Sequence, residues 1–182
     1  MDFDEQINRF GTHSVKWDSM ESFYGVPAKD GIAMWVADMD FAVPECVTRA
    51  LQERINHPVF GYTLYPDSIY QSIIDWFQRR HQWTIEREWI VFAPGVVPSL
   101  FAAAKAFAKE GEGVIVQSPV YFPFFAAVTT NNRKLVNNPL REINGRYEID
   151  FEHLEQCAQQ GAKLLLLCTP HNPVGRVWSE TE

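Results

Sequence analysis

Cysteine is scarce in this 182-residue chain. Cys46, Cys157 and Cys168 are too few and too dispersed to build a disulfide framework or a zinc site, which points to a reduced compartment. Long apolar runs are missing too, and none approaches the length of a membrane span. Positive charge is in deficit: 16 Lys+Arg against 23 Asp+Glu leave a formal net charge of −7. The basic residues are scattered, and Arg79-Arg80 reads as a solvated helix face, so no nucleic-acid surface is expected. Neither a Gly-Lys-Ser/Thr phosphate loop nor a Gly-x-Gly-x-x-Gly turn occurs, which excludes the common nucleotide and dinucleotide fingerprints. His13, His57, His81 and His153 have no metal-ligand spacing, so no metal is expected. The opening Met-Asp-Phe-Asp-Glu is acidic and polar, unlike a secretory leader, and the expectation is a cytoplasmic protein.

What is present is a globular composition: 46% apolar residues and 14% aromatics, enough for a real core. Residues 1–43 show little helical period and read as an N-terminal arm with turns, including a short apolar strand from Ile32. Asp38 and Asp40 follow it. Two carboxylates at that spacing share one face of a strand and repel, so a hydrogen-bonded turn before the next helix is expected rather than a metal or acid–base pair. From residue 44 onward the pattern becomes that of a larger domain, 44–182. Val47, Leu51 and Ile55 share one face of a helix over 44–57. Asp67 caps a second helix, striped by Ile69, Ile73, Trp76 and Phe77. Strands expected near residues 89, 113, 134 and 164 alternate with helices, which argues a doubly wound, mostly parallel α/β sheet. Asn144-Gly145 marks a hairpin turn, Asp150 caps a further helix, and Gly161 stops it.

Three of the expected strands end in special loops. After Trp89-Ile90-Val91-Phe92-Ala93 comes Pro94-Gly95-Val96-Val97 and an apolar helix. A glycine turn at a helix N-terminus presents free N–H groups and favours an anion. After Gly113–Gln117 comes Ser118-Pro119-Val120-Tyr121, an aromatic-rich turn able to hold a flat side chain against a ring. Phe122, Phe124 and Phe125 are expected in the core. After Lys163-Leu164-Leu165-Leu166-Leu167, an apolar run typical of a strand buried on both faces, comes Thr169-Pro170-His171-Asn172-Pro173-Val174-Gly175. Prolines on both sides limit the backbone of Asn172, and its amide can donate and accept. Ligands of open α/β sheets bind at such carboxyl edges.

Asn172-Pro173-Val174-Gly175 resembles the Asn-Pro-x-Gly segment of the fold-type I pyridoxal-phosphate enzymes, the aminotransferase class I/II superfamily. The flanking His171 and Arg176-Val177-Trp178, the Trp35-Val36-Ala37-Asp38-Met39-Asp40-Phe41 string, Phe60-Gly61-Tyr62 and Pro94-Gly95-Val96-Val97 resemble its carbon–sulfur β-lyase branch, the MalY/PatB or cystathionine β-lyase type. The resemblance covers essentially the whole chain. It implies a pyridoxal 5'-phosphate (PLP) cofactor, with Gly95, Val96 and Val97 forming the phosphate cup, Tyr121 stacked on the pyridine ring and Asn172 at the ring oxygen. Tyr62 would reach the phosphate of the neighbouring subunit in a homodimer, and backbone amides near Ala37 would meet the carboxylate of an amino-acid substrate.

The implied activity is β-elimination from cystathionine or cysteine S-conjugates, giving a thiol, pyruvate and ammonia. An aminotransferase of the same fold is the first alternative, and a non-catalytic regulatory or PLP-binding protein the second. Such chemistry needs a Schiff-base lysine, which the family places after the Asn-Pro-x-Gly loop. None of this chain's lysines has that context, so the lysine is expected after Glu182. The chain is therefore expected to be an N-terminal fragment, inactive alone and prone to aggregate through an incomplete sheet.

Overall fold

A computed structural model describes residues 2–182. The chain divides into two compact units, one ending at Asp67 and one spanning Ser68–Glu182.

The first unit holds two short helices, α1 (Val15–Asp18) and α2 (Met20–Tyr24), and a longer one, α3 (Glu45–Asn56). Pro44 and His57 flank α3, as the sequence predicts. Its apolar face of Val47, Leu51 and Ile55 is exposed. The strand expected from Ile32 is absent: the segment pairs with nothing among the described residues, and Ile32 and Met34 are exposed. Asp40 organises this region instead. One carboxylate oxygen accepts from Arg9 at 2.6 Å and from the Trp17 indole at 2.8 Å, and the other accepts from Lys16 at 2.7 Å. Asp38 pairs with Arg9 at 2.5 Å, and the Trp35 indole donates to the Lys16 carbonyl. The two aspartates thus avoid repulsion by sharing cations, not by capping a turn.

The second unit begins in α4 (Asp67–His81), whose stripe of Ile73 and Phe77 borders Trp83, Ile85 and Val91. Then come α5 (Val96–Phe107), β1 (Gly113–Val116), α6 (Pro123–Thr129) and β2 (Lys134–Asn137). The hairpin β3 (Arg141–Ile143) and β4 (Arg146–Glu148), α7 (Phe151–Gln159) and β5 (Leu164–Leu166) complete it. The main sheet is parallel, ordered β2-β1-β5. Val114 and Val116 pack with Ala108, Phe124, Ala127, Val128 and Leu166 under α5 and α6. On the other face Gly113 and Val136 lie beside Cys157 of α7. Helices on both faces make the architecture α/β and doubly wound, with an open sheet. Asn144 (φ 53°) and Gly145 (φ 77°) both occupy the left-handed region that a two-residue hairpin turn needs.

Three expectations need correcting. Residues 89–93 are not a buried strand: Arg87–Trp89 is a turn of 3-10 helix, Val91 is 85% exposed, and no described strand lies beside them to complete a ladder. β5 is not buried on both faces either. It is an edge strand with one neighbour, so Leu166 is buried while Leu165 and Leu167 are exposed. Phe122 lies outside the core, 73% exposed at the N-cap of α6, whereas Phe124 is buried. Among the described residues no helix is long and apolar enough to cross a membrane.

Candidate functional site

α5 runs against the direction of β1. Its C-terminal carbonyl at Ala108 accepts from Arg133, the residue before β2, so its N-terminus lies at the sheet's carboxyl edge. Gly95 is the N-cap, at φ 141° and ψ 171°. Only glycine occupies that region readily. An added Cβ would meet nothing nearer than Pro98 Cδ at 3.7 Å, so the backbone, not space, demands glycine. Val96 and Val97 follow with N–H groups that have no intrahelical partner. Pro98 has none to offer, and regular bonding starts where the Ser99 N–H meets the Gly95 carbonyl. Two adjacent donors are therefore presented at the positive end of the helix dipole.

The other two loops meet directly. The Tyr121 N–H donates to the Asn172 carbonyl at 2.8 Å. The Tyr121 ring is half-exposed and stands edge-on to Phe122, centroids 5.1 Å apart. Asn172 is exposed; its backbone N–H reaches Cys168 Sγ at 3.4 Å, and that thiol in turn donates to the Pro170 carbonyl. No described residue bonds the Asn172 side-chain amide. Peptide bonds 118–119, 169–170 and 172–173, each preceding proline, are cis.

His171 supports this arrangement and was legible only as a flanking residue. It is 1% exposed, with Nε2 at 3.0 Å from the Pro119 carbonyl. Its backbone N–H donates to Arg176 and its carbonyl accepts from Gly175. The ring sits edge-on to Trp178 at 5.6 Å. Burial lowers its pKa below the ordinary 6.5, against the raising pull of the Pro119 and Gln117 carbonyls, so the ring is neutral near pH 7. A second buried element was not foreseen: Gln117 donates to Asn138 at 2.9 Å, and Asn138 donates to the Asp150 carbonyl. The available signal was weak, a run of polar residues directly after two strands.

Ala37 and Tyr62 belong to the first unit. Tyr62 follows Gly61 (φ 48°) and its side chain is fully exposed. Ala37 is exposed beside the Asp38–Arg9 pair. Among the described residues no group of three or more His, Cys, Asp or Glu side chains is arranged to hold a metal ion.

Known proteins resemble this chain in sequence and fold. Cystathionine beta-lyase PatB of Bacillus subtilis is 46% identical over 183 residues, covering 100% of this chain and 47% of the relative. Protein MalY of Escherichia coli is 32% identical, covering 98% of this chain and 46% of the relative. The crystal structure of cystalysin from Treponema denticola, which contains a pyridoxal 5'-phosphate cofactor, matches with a TM-score of 0.92 at 40% identity, over 100% of this chain and 46% of that one. The chain thus spans about half the length of these relatives. Residues 29–182 match the family described as aminotransferase class I and II, and the chain belongs to that family.

Proposed function

We propose that this chain carries the cofactor-holding loops of a PLP-dependent carbon–sulfur β-lyase that acts on cystathionine or related cysteine S-conjugates. The observation that carries the reading is the bond from the Tyr121 N–H to the Asn172 carbonyl, which joins a half-exposed ring to an unpaired amide at one sheet edge. The fit to the cofactor can be judged part by part. The free N–H groups of Val96 and Val97, with the glycine before them, suit a phosphate dianion. The Tyr121 ring suits a flat heterocycle. The Asn172 amide has a donor to spare for a ring oxygen.

When bound, this cofactor supplies an electron sink for the carbanion left at the substrate's Cα, which allows a thiolate to leave from Cβ. The chain's own residues bind and orient. The amides of Val96 and Val97 fix the phosphate, Tyr121 fixes the plane of the ring, and Asn172 fixes its rotation. Tyr62, projecting fully into solvent, suits a contact with the phosphate of a neighbouring subunit in a homodimer. Backbone amides near Ala37 would meet the substrate carboxylate. Names of the relatives, PatB above all, support β-lyase over aminotransferase chemistry.

Titration of the chain with PLP, followed by equilibrium dialysis, tests the binding. Saturable binding with inorganic phosphate as competitor is expected. Gly95→Ala should distort the cup, and Asn172→Ala should remove a charge-assisted bond of about 1.5–3 kcal/mol, roughly a tenfold or greater loss of affinity. Binding indifferent to both substitutions would refute the assignment. In the polypeptide that also carries the family's lysine, release of pyruvate and thiol from cystathionine, against keto-acid exchange, separates lyase from aminotransferase.

A further inference from the structure

The two loops that meet at this site are poorly equipped to hold each other. Pro119, Pro170 and Pro173 have no N–H, so a backbone ladder between the loops cannot form. Two cross-loop donors stand out: the Tyr121 N–H, bonded to the Asn172 carbonyl at 2.8 Å, and His171 Nε2, at 3.0 Å from the Pro119 carbonyl.

We infer that His171 is a positioning residue: donating from Nε2 to the Pro119 carbonyl, it locks the loop of Asn172 to the loop of Tyr121 and so sets amide and ring in fixed relation. The inference takes its ligand from the reading above, but its geometry stands without it. The histidine is held in place by its own backbone and by a neighbouring ring. Its backbone is closed into a short hairpin with Gly175 and Arg176, at 2.7 and 2.6 Å. Its ring lies against Trp178, whose indole N–H is tied to the Cys168 carbonyl at 3.0 Å. At 1% exposure no solvent competes for Nε2. A carbonyl can only accept, so the proton is on Nε2. Nδ1 is then a bare acceptor, and it is buried without a partner. A phenylalanine here would keep the ring-on-ring packing and lose only the donor. A glutamine would lose the ring and keep a donor in nearly the same place.

That contrast is the experiment. Amide exchange is labelled in the 182-residue chain at concentrations below its association range and read residue by residue by mass spectrometry with electron-transfer fragmentation, with His171→Phe and His171→Gln. The Tyr121 N–H should exchange about tenfold or more faster in the Phe variant and return to within about threefold of wild type in the Gln variant. The Asn138 N–H, bonded to the Val116 carbonyl in the sheet, should be unchanged in both. Affinity for PLP should follow the Tyr121 order. Unaltered Tyr121 exchange in the Phe variant, or no rescue by Gln, overturns the inference. If the Phe variant does not fold, 15N-labelled histidine in the wild-type chain decides. His171 must carry its proton on Nε2 at neutral pH, and a proton on Nδ1 refutes the tie. If the wild-type chain ignores PLP while the exchange pattern holds, the functional reading falls and the loop tie stands.

Discussion

Asp40 shows how much one side chain can organise. Hydrogen bonds from Lys16, Trp17 and Arg9 hold its carboxyl well below the usual carboxylate range. The folded state therefore binds this proton less readily than the unfolded chain does. The stabilisation is complete above the ordinary value of 3.8 and is lost progressively as pH falls below it. The Trp17 indole, bonded to Asp40 at 2.8 Å, is a built-in reporter. Its fluorescence should shift as pH drops below 3.8 in the wild type, and Asp40→Asn should remove that step. Residues differ in how plainly a sequence announces them. Gly95 and Asn172 stand next to prolines after apolar runs, so their backbone demands are visible in one dimension. Asp40 meets Arg9 and Lys16 across more than 20 positions, and His171 meets Pro119 across 52. Pairings that distant leave no local pattern to read.

Elements were legible where their signals were local. The cap of α7 is one case: Asp150 accepts from the His153 N–H at 3.0 Å, as its position before the helix predicts. Asp150→Ala should cost about 1 kcal/mol of stability, measurable as a lower urea midpoint, with the sheet's amide protection retained. The Asn144-Gly145 turn is another case, since both residues tolerate the left-handed conformation. Strand burial was less legible. β1 and β5 are both short apolar runs, yet β1 is buried along its whole length and β5 is not. What separates them is the number of neighbours, β1 lying between two strands and β5 having one. Residues 89–93 carry the same apolar signal, with no strand beside them among the described residues. Hydrophobicity states what a segment would bury; only the rest of the sheet decides whether it does.

For the whole molecule, the balance of surface is the dominant fact. Trp89 and Val91, Leu165 and Leu167, and the α3 face of Val47, Leu51 and Ile55 are all exposed. Apolar surface on that scale favours association. At micromolar concentrations the chain should sediment as concentration-dependent oligomers and bind a hydrophobic dye, as expected from the open sheet. A single monomeric boundary across a hundredfold dilution would contradict this. The family and the parallel α/β plan were readable from four short motifs, because each motif sits where a strand or arm turns. The division at Asp67 was not, because compactness depends on distant packing. Finally, the paired donors after Gly95 belong to the peptide chain itself. Side-chain truncation at 96 or 97 leaves both N–H groups in place, so a routine mutational scan there would be silent. Only exchange of an amide for an ester would remove a donor, so the proposed anion contact makes no demand on the side chains at these two positions.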